Sequence, residues 1–248
     1  MIGLQLAVVA WMLATLRFVP VLLMPAFTPF AWAPLHVRAI LLLALSWLLT
    51  GVAAPSALPA DLVLAACSEL LVGACYGLAV TLPMASLGFS ARMLDVQAGL
   101  ASANLFNPAL QGTDSLLGTV LSLAGTLTFF ALGFHLLLLR HLVASVRWVP
   151  LGAAAHAPSL TALLNLLGSQ FLLGLMVTLP VVLGLFAVDI AVAFASRSMP
   201  QANIYFLALP LKVATVLVLL AGSLRLAPAL LGRLFADGLA GAQSMVRG

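Results

Sequence analysis

Residues 160–195 form one apolar run of about 36 positions, interrupted by Pro180 and carrying a single charge, Asp189. Eighteen or more consecutive apolar residues read as a membrane span. Fully helical, this run would reach ~54 Å, more than one crossing. It is therefore either one long kinked helix or a hairpin turning near Pro180. Five further apolar stretches accompany it, at about Ile2–Met24, Ala39–Ala54, Leu62–Leu87, Ser115–Leu139 and Gln201–Leu226. The chain is 64% apolar and 6% charged, against about 25% charged in a typical soluble domain. The pattern predicts an all-α membrane protein with about six apolar helices, some kinked or hairpin-like. Residues 1–248 read as a single integral-membrane domain, with no room for a separate soluble one. The first stretch lacks a basic region before its apolar core and a small-residue cleavage site, so it reads as a retained span.

Between the third and fourth stretches lies the polar-rich segment GFSARMLDVQAGLASANLFNPALQGTDS, residues 88–115. It holds Arg92, Asp95, Asn104, Asn107 and Asp114. It is too polar to face lipid tails and too apolar for a solvated linker. Irregular backbone at membrane depth survives only when buried in protein or lining a cavity. A re-entrant or plug segment between spans three and four fits. Small and polar residues from Ser90 to Ala103 recur at helical spacing, which predicts a short helix with one polar face. Phe106-Asn107-Pro108 ends it, because the residue before proline is pushed towards extended geometry. Thr113 or Asp114 then caps span four. A second irregular stretch carries Pro20, Pro25, Pro29 and Pro34, a density that breaks regular helix and predicts a stiffened connection or re-entrant segment.

The charges within spans are Arg17, Glu69, Asp189 and Lys212, each read as single along its own helix. Each is a functional-site hypothesis in a membrane. Arg17 either snorkels from a helix end or pairs inside a complex. Glu69 precedes Gly73 and Gly77, a small-xxx-small spacing that permits close helix approach. Asp61 stands near the start of span three, where the helix dipole favours an anion. The net charge of +4 is too sparse for a nucleic-acid surface and reads instead as loop charge that orients spans. With six spans that rule places the C-terminus in the cytoplasm. Cys67 and Cys75 cannot form a disulfide within one helix, and both are expected to be small buried core residues. His135 is placed in the last turns of span four, hydrogen-bonded at an interface rather than bound to metal. Trp148 reads as an interface anchor. There is no nucleophile elbow, phosphate loop, HExxH or CxxC, so no enzyme, metal or cofactor is expected. No internal repeat appears, which counts against repeat-built transporter folds. A secondary transporter or small-solute channel stays open as an alternative.

Two groups of motifs resemble the FliR/SctT family of type III export-apparatus membrane proteins. The first runs from Gln97-Ala98-Gly99 through Phe106-Asn107-Pro108 to Gly133-Phe134-His135 and the loop Ser145–Gly152, which contains Pro150-Leu151-Gly152. The second is Pro200-Gln201-Ala202-Asn203 followed by Pro210-Leu211-Lys212. Departures exist: Ala91-Arg92 replaces a Gly-Glu pair of flagellar members, and Asn107 replaces the usual aspartate. Asp95 and Trp148-Val149-Pro150 lean towards the injectisome branch, SctT, whereas Gly133–Arg140 and the Pro-Leu-Gly segment lean towards the flagellar one. The resemblance implies a subunit of an export gate in the bacterial cytoplasmic (inner) membrane, at the flagellar basal body. FliP-like and FliQ-like subunits would assemble with it beside an FlhB-like subunit, and unfolded proteins would pass through. It also implies a gate plug at about residues 105–114, including Leu105, Phe106, Asn107, Pro108, Gln111 and Gly112. Phe106 and Leu110 suit sealing by dewetting.

Overall fold

A computed structural model of the chain describes residues 2–23, 28–52, 59–100, 115–153, 157–198, 204–223, 225 and 227–247. All regular structure among them is helical. In chain order the α-helices are α1 (Ile2–Leu22), α2 (Leu35–Val52), α3 (Leu62–Gln97), α4 (Leu116–Ala131), α5 (Phe134–Ser145), α6 (Leu160–Ser198), α7 (Ile204–Ser223) and α8 (Ala227–Arg247). A 3-10 turn, Pro29–Trp32, falls in the proline-rich connection before α2. Four helices, α1, α2, α3 and α6, are long and apolar enough to cross a membrane, and up to six spans result if each of two bent helix pairs counts as one. This is an all-helical membrane protein.

The structure resolves the reading of residues 160–195. They lie in one helix, α6, that carries Pro180 inside it. Loss of one backbone donor is tolerated in a membrane helix because neighbouring groups re-satisfy the freed carbonyl. The expected short helix after span three is instead the continuation of α3, which runs for 36 residues to Gln97 with Pro83 inside. Ser90, Ala91 and Leu94 are buried, so packing carries the helix through a stretch whose polarity alone predicts a break. Span four shows the opposite correction. It breaks at Leu132 and Gly133, with Gly133 at φ 72°. Hydropathy is continuous across this point, but the left-handed backbone belongs to glycine. His135 consequently stands in the first turn of α5. Pro20 sits inside α1, not beyond its end.

The chain divides into two compact units. Unit one comprises residues 1–84, 129–170 and 235–248, and unit two comprises 85–128 and 171–234. In unit one, Glu69, Gly73 and Gly77 recur every four residues along one face of α3. A side chain at Gly73 would meet the Arg17 carbonyl, and one at Gly77 would stand 3.1 Å from the Pro20 carbonyl. These glycines therefore let the α1 and α3 backbones approach closely, which larger residues prevent. Phe129 and Phe134, on either side of the α4–α5 break, pack with Phe235 of α8 as a ring cluster, with centroids 5.1–6.3 Å apart. In unit two the core is built by Ala91, Leu94 and Ala98 of the α3 end, Leu117 and Leu121 of α4, Val181 and Leu185 of α6, and Val216 and Leu220 of α7. Of the two cysteines expected to be buried, Cys75 is buried but Cys67 is exposed. Cys67 lies near the start of α3, where Leu62, Val63 and Leu64 are exposed too, whereas Cys75 lies about two turns deeper in the enclosed part of the helix.

Candidate functional site: buried charge and the ends of a loop

The four charges read as single in the sequence are two pairs. In unit one, Arg17 Nε donates to Glu69 Oε2 at 2.5 Å, with both side chains fully buried. Arg17 Nη1 donates to Ser145 Oγ at 3.1 Å and Nη2 to the Val149 carbonyl at 2.9 Å. The second carboxylate oxygen of Glu69 accepts from the Gly152 N–H at 3.1 Å. Ser145 Oγ–H in turn donates to the Leu142 carbonyl at 2.6 Å. Every nitrogen of the guanidinium and both oxygens of the carboxylate are thus engaged. Charges removed from water need this completeness, since desolvation otherwise outweighs their attraction.

This network gives the Ser145–Gly152 motif a physical role. Ser145 ends α5, and the following turn brings the Val149 carbonyl to Arg17. Pro150 then opens a turn closed by the Ala153 N–H on its carbonyl at 3.0 Å, which turns the Gly152 N–H towards Glu69. The spacing of the motif is the spacing of three ligands to one ion pair.

Unit two holds the second pair. Lys212 Nζ lies 2.5 Å from Asp189 Oδ1, and here both partners keep exposure, 21% and 48%. Lys212 also donates to the Gln97 carbonyl at 3.4 Å. That carbonyl belongs to the last residue of α3, where a cation is favoured by the helix dipole. Gly99, two residues further, has φ 78°, and a side chain there would collide with Leu209 at 2.5 Å. Two resembling motifs, Gln97-Ala98-Gly99 and Leu209-Pro210-Leu211-Lys212, therefore meet at the end of α3, with Pro210 inside α7.

Asp95 lies beside them and is buried. Its Oδ1 accepts from the Leu117 N–H at 3.3 Å, while Ser115 Oγ accepts from the Gly118 N–H at 2.8 Å. Ser115 makes a side-chain contact with the start of α4, while Thr113 and Asp114, expected as its cap, lie outside the described residues. The end of α3 and the start of α4 are thereby tied together by a carboxylate at an N-terminal turn. Between them stand residues 101–114. The plug residues Leu105, Phe106, Asn107, Pro108, Leu110, Gln111 and Gly112 lie outside the described residues, as do Pro200, Gln201 and Asn203.

His135 stands next to Phe130, ring centroids 5.3 Å apart, and among the described residues its Nδ1 has no hydrogen-bond partner. Among the described residues no three His, Cys, Asp or Glu side chains come together to hold a metal. Trp148, expected as an anchor, is covered on one face by the Arg247 guanidinium, 4.2 Å from the ring centroid. The sequence reading missed Ser145 and Gly152 as ligands of a charge. Their only signal was the motif itself, since neither residue is ionisable.

The comparisons agree with these motifs. The chain is 27% identical over 161 residues to the flagellar biosynthetic protein FliR of Bacillus subtilis, covering 63% of this chain and 62% of that protein. It is 31% identical over 157 residues to FliR of Caulobacter vibrioides, covering 63% and 62%. The Yop proteins translocation protein T of Yersinia pestis is 30% identical over 156 residues, covering 61% of this chain and 59% of that protein. The matched region thus spans about three fifths of each of these relatives. The family model for bacterial export proteins, family 1, matches residues 8–238, and the chain belongs to that family.

Proposed function

We propose that this protein is a membrane subunit of the flagellar type III protein export gate. It assembles with FliP-like and FliQ-like subunits, beside an FlhB-like subunit, into the path by which unfolded flagellar proteins leave the cell. It acts without catalysis, in the inner membrane, with its C-terminus in the cytoplasm and with residues 1–248 serving as one integral-membrane domain.

The observation that carries this reading is the half-exposed Lys212–Asp189 pair. It lies on α6 and α7, flanked by exposed Phe186, Phe194, Leu217 and Val218. Ionised groups facing hydrocarbon are costly, and α6, at ~58 Å, is about twice the ~30 Å hydrocarbon thickness. Such a surface suits contact with further protein subunits. The tie from Asp95 to Leu117 supports the gate role. It ties together the described end of α3 and start of α4, the elements on either side of residues 101–114, and so supplies a firm base for a plug there. The FliR relatives favour the flagellar branch. The likeness to a Yersinia translocation protein keeps an injectisome subunit as the second reading.

Mild-detergent capture through a C-terminal tag, followed by mass spectrometry, tests the assembly. FliP-like and FliQ-like proteins should co-purify, and their branch identifies the machine. A stable lone chain, together with intact flagellar and effector export after its deletion, overturns the proposal and points to a transporter. Deleting residues 106–112 should let ions leak through an assembled gate. Unchanged permeability removes the plug assignment.

A further inference from the structure

A cleft of about 840 Å³ lies within unit one against α1, α2 and α5. Its walls are almost wholly apolar, with Phe18 from α1, Leu48 and Val52 from α2 and Val143 from α5, but Arg140 and Arg147 also line it. Both arginines are exposed. Among the described residues neither has an ion-pair partner. By contrast, Arg17 in the same unit is engaged at every nitrogen. The cleft sets two guanidinium groups without an ion-pair partner against apolar walls.

We infer that this cleft binds an anionic glycerophospholipid, with acyl chains along the apolar walls and the phosphodiester between Arg140 and Arg147. Three observations converge on it. The volume falls in the ~300–1,000 Å³ range of small-ligand sites. The α2 helix, which forms one wall, is the least enclosed of the four long apolar helices, so the cleft borders the bilayer, where an empty apolar crevice fills with the surrounding hydrocarbon. Arg140 lies within α5 and Arg147 just beyond its end, next in sequence to Trp148, whose ring carries Arg247 on its face. An aromatic residue with clustered cations marks headgroup depth. Basic pockets between membrane helices hold anionic headgroups, and the planar guanidinium matches a phosphate with paired donors. A helix from a neighbouring subunit would fill the same space. It would have to bring acidic side chains to match the arginines, at a cost that a lipid phosphate, already at that depth, does not incur.

The test is native mass spectrometry of the full chain in mild detergent, titrated with phosphatidylglycerol or with phosphatidylcholine of identical acyl chains. Phosphatidylglycerol should be retained in preference, by roughly thirtyfold for two surface cations. The R140Q/R147Q double variant should lose that preference. Both side chains are exposed, so its elution profile and melting temperature should match those of the parent chain. Val143→Trp, which fills the cleft, should reduce retention of both lipids. Equal retention of the two lipids by the parent chain overturns the proposal. So does an unchanged preference in R140Q/R147Q, or a photocrosslinker at Leu48 that captures a protein subunit instead of lipid.

Discussion

The two units treat charge in opposite ways. Unit one encloses Arg17 and Glu69 completely and satisfies every atom from its own backbone and from Ser145. Unit two leaves Lys212 and Asp189 half open on helices that are themselves mostly uncovered. A closed pair locks the chain to itself, whereas an open pair on an apolar surface waits for a further surface to cover it. On the proposed reading, the first serves folding and the second serves assembly.

This contrast can be broken experimentally, and the largest effect is expected at the closed pair. Arg17→Leu leaves the Glu69 carboxyl buried without its cation and should destabilise the chain by about 3–5 kcal/mol. Thermal melting in detergent measures it. R17M/E69M should recover most of that loss, because no uncompensated charge remains. A melting temperature unchanged by Arg17→Leu would end the claim that unit one is locked by this pair.

The glycine seam comes next. Gly73→Leu pushes a side chain into the Arg17 carbonyl and should cost about 1–3 kcal/mol by overpacking. Gly51→Leu provides the control, since nothing lies within 4 Å of that position. Equal effects at both sites would mean that the approach of α1 to α3 is not what Gly73 provides.

Asp95→Ala should cost about 1 kcal/mol, as for loss of a helix N-cap, and should raise hydrogen exchange at Leu117. Unaltered exchange there would detach Asp95 from the start of α4.

The smallest effect on the isolated chain is expected at the open pair. Lys212→Leu should change its stability by no more than about 1 kcal/mol, the value of exposed pairs. It should nonetheless lower recovery of the multi-subunit complex. A full yield of complex removes the assembly role of Lys212, and a large loss of stability in the chain alone would erase the distinction between the units.

Which of these features the sequence revealed depends on how far apart their parts lie. Gly73 and Gly77 stand four residues apart on one helix, so their shared face follows from helical geometry. Glu69 falls on that face for the same reason. Its partner Arg17 is 52 positions away, and Val149 is 132 positions from Arg17. Nothing in local periodicity carries the register between two helices, so four paired charges looked solitary. The Ser145–Gly152 motif was visible as a pattern, but a serine, a carbonyl and a glycine N–H become ligands only once a charge is brought to them. Gly133 was in view too, yet the apolar run continued across it.

By itself the sequence determined that this chain belongs in a membrane as apolar helices, because 64% apolar residues in runs of this length have no stable exposure to water. It also marked the two motif groups that resemble the FliR/SctT family. Only the tertiary structure decided that Pro180 lies within one helix, that the end of α3 is tied to the start of α4, and which charges pair. Those outcomes depend on burial and on contacts between residues far apart in sequence. The energies that fix them arise when water is excluded from a particular arrangement of helices, and no single segment contains that arrangement.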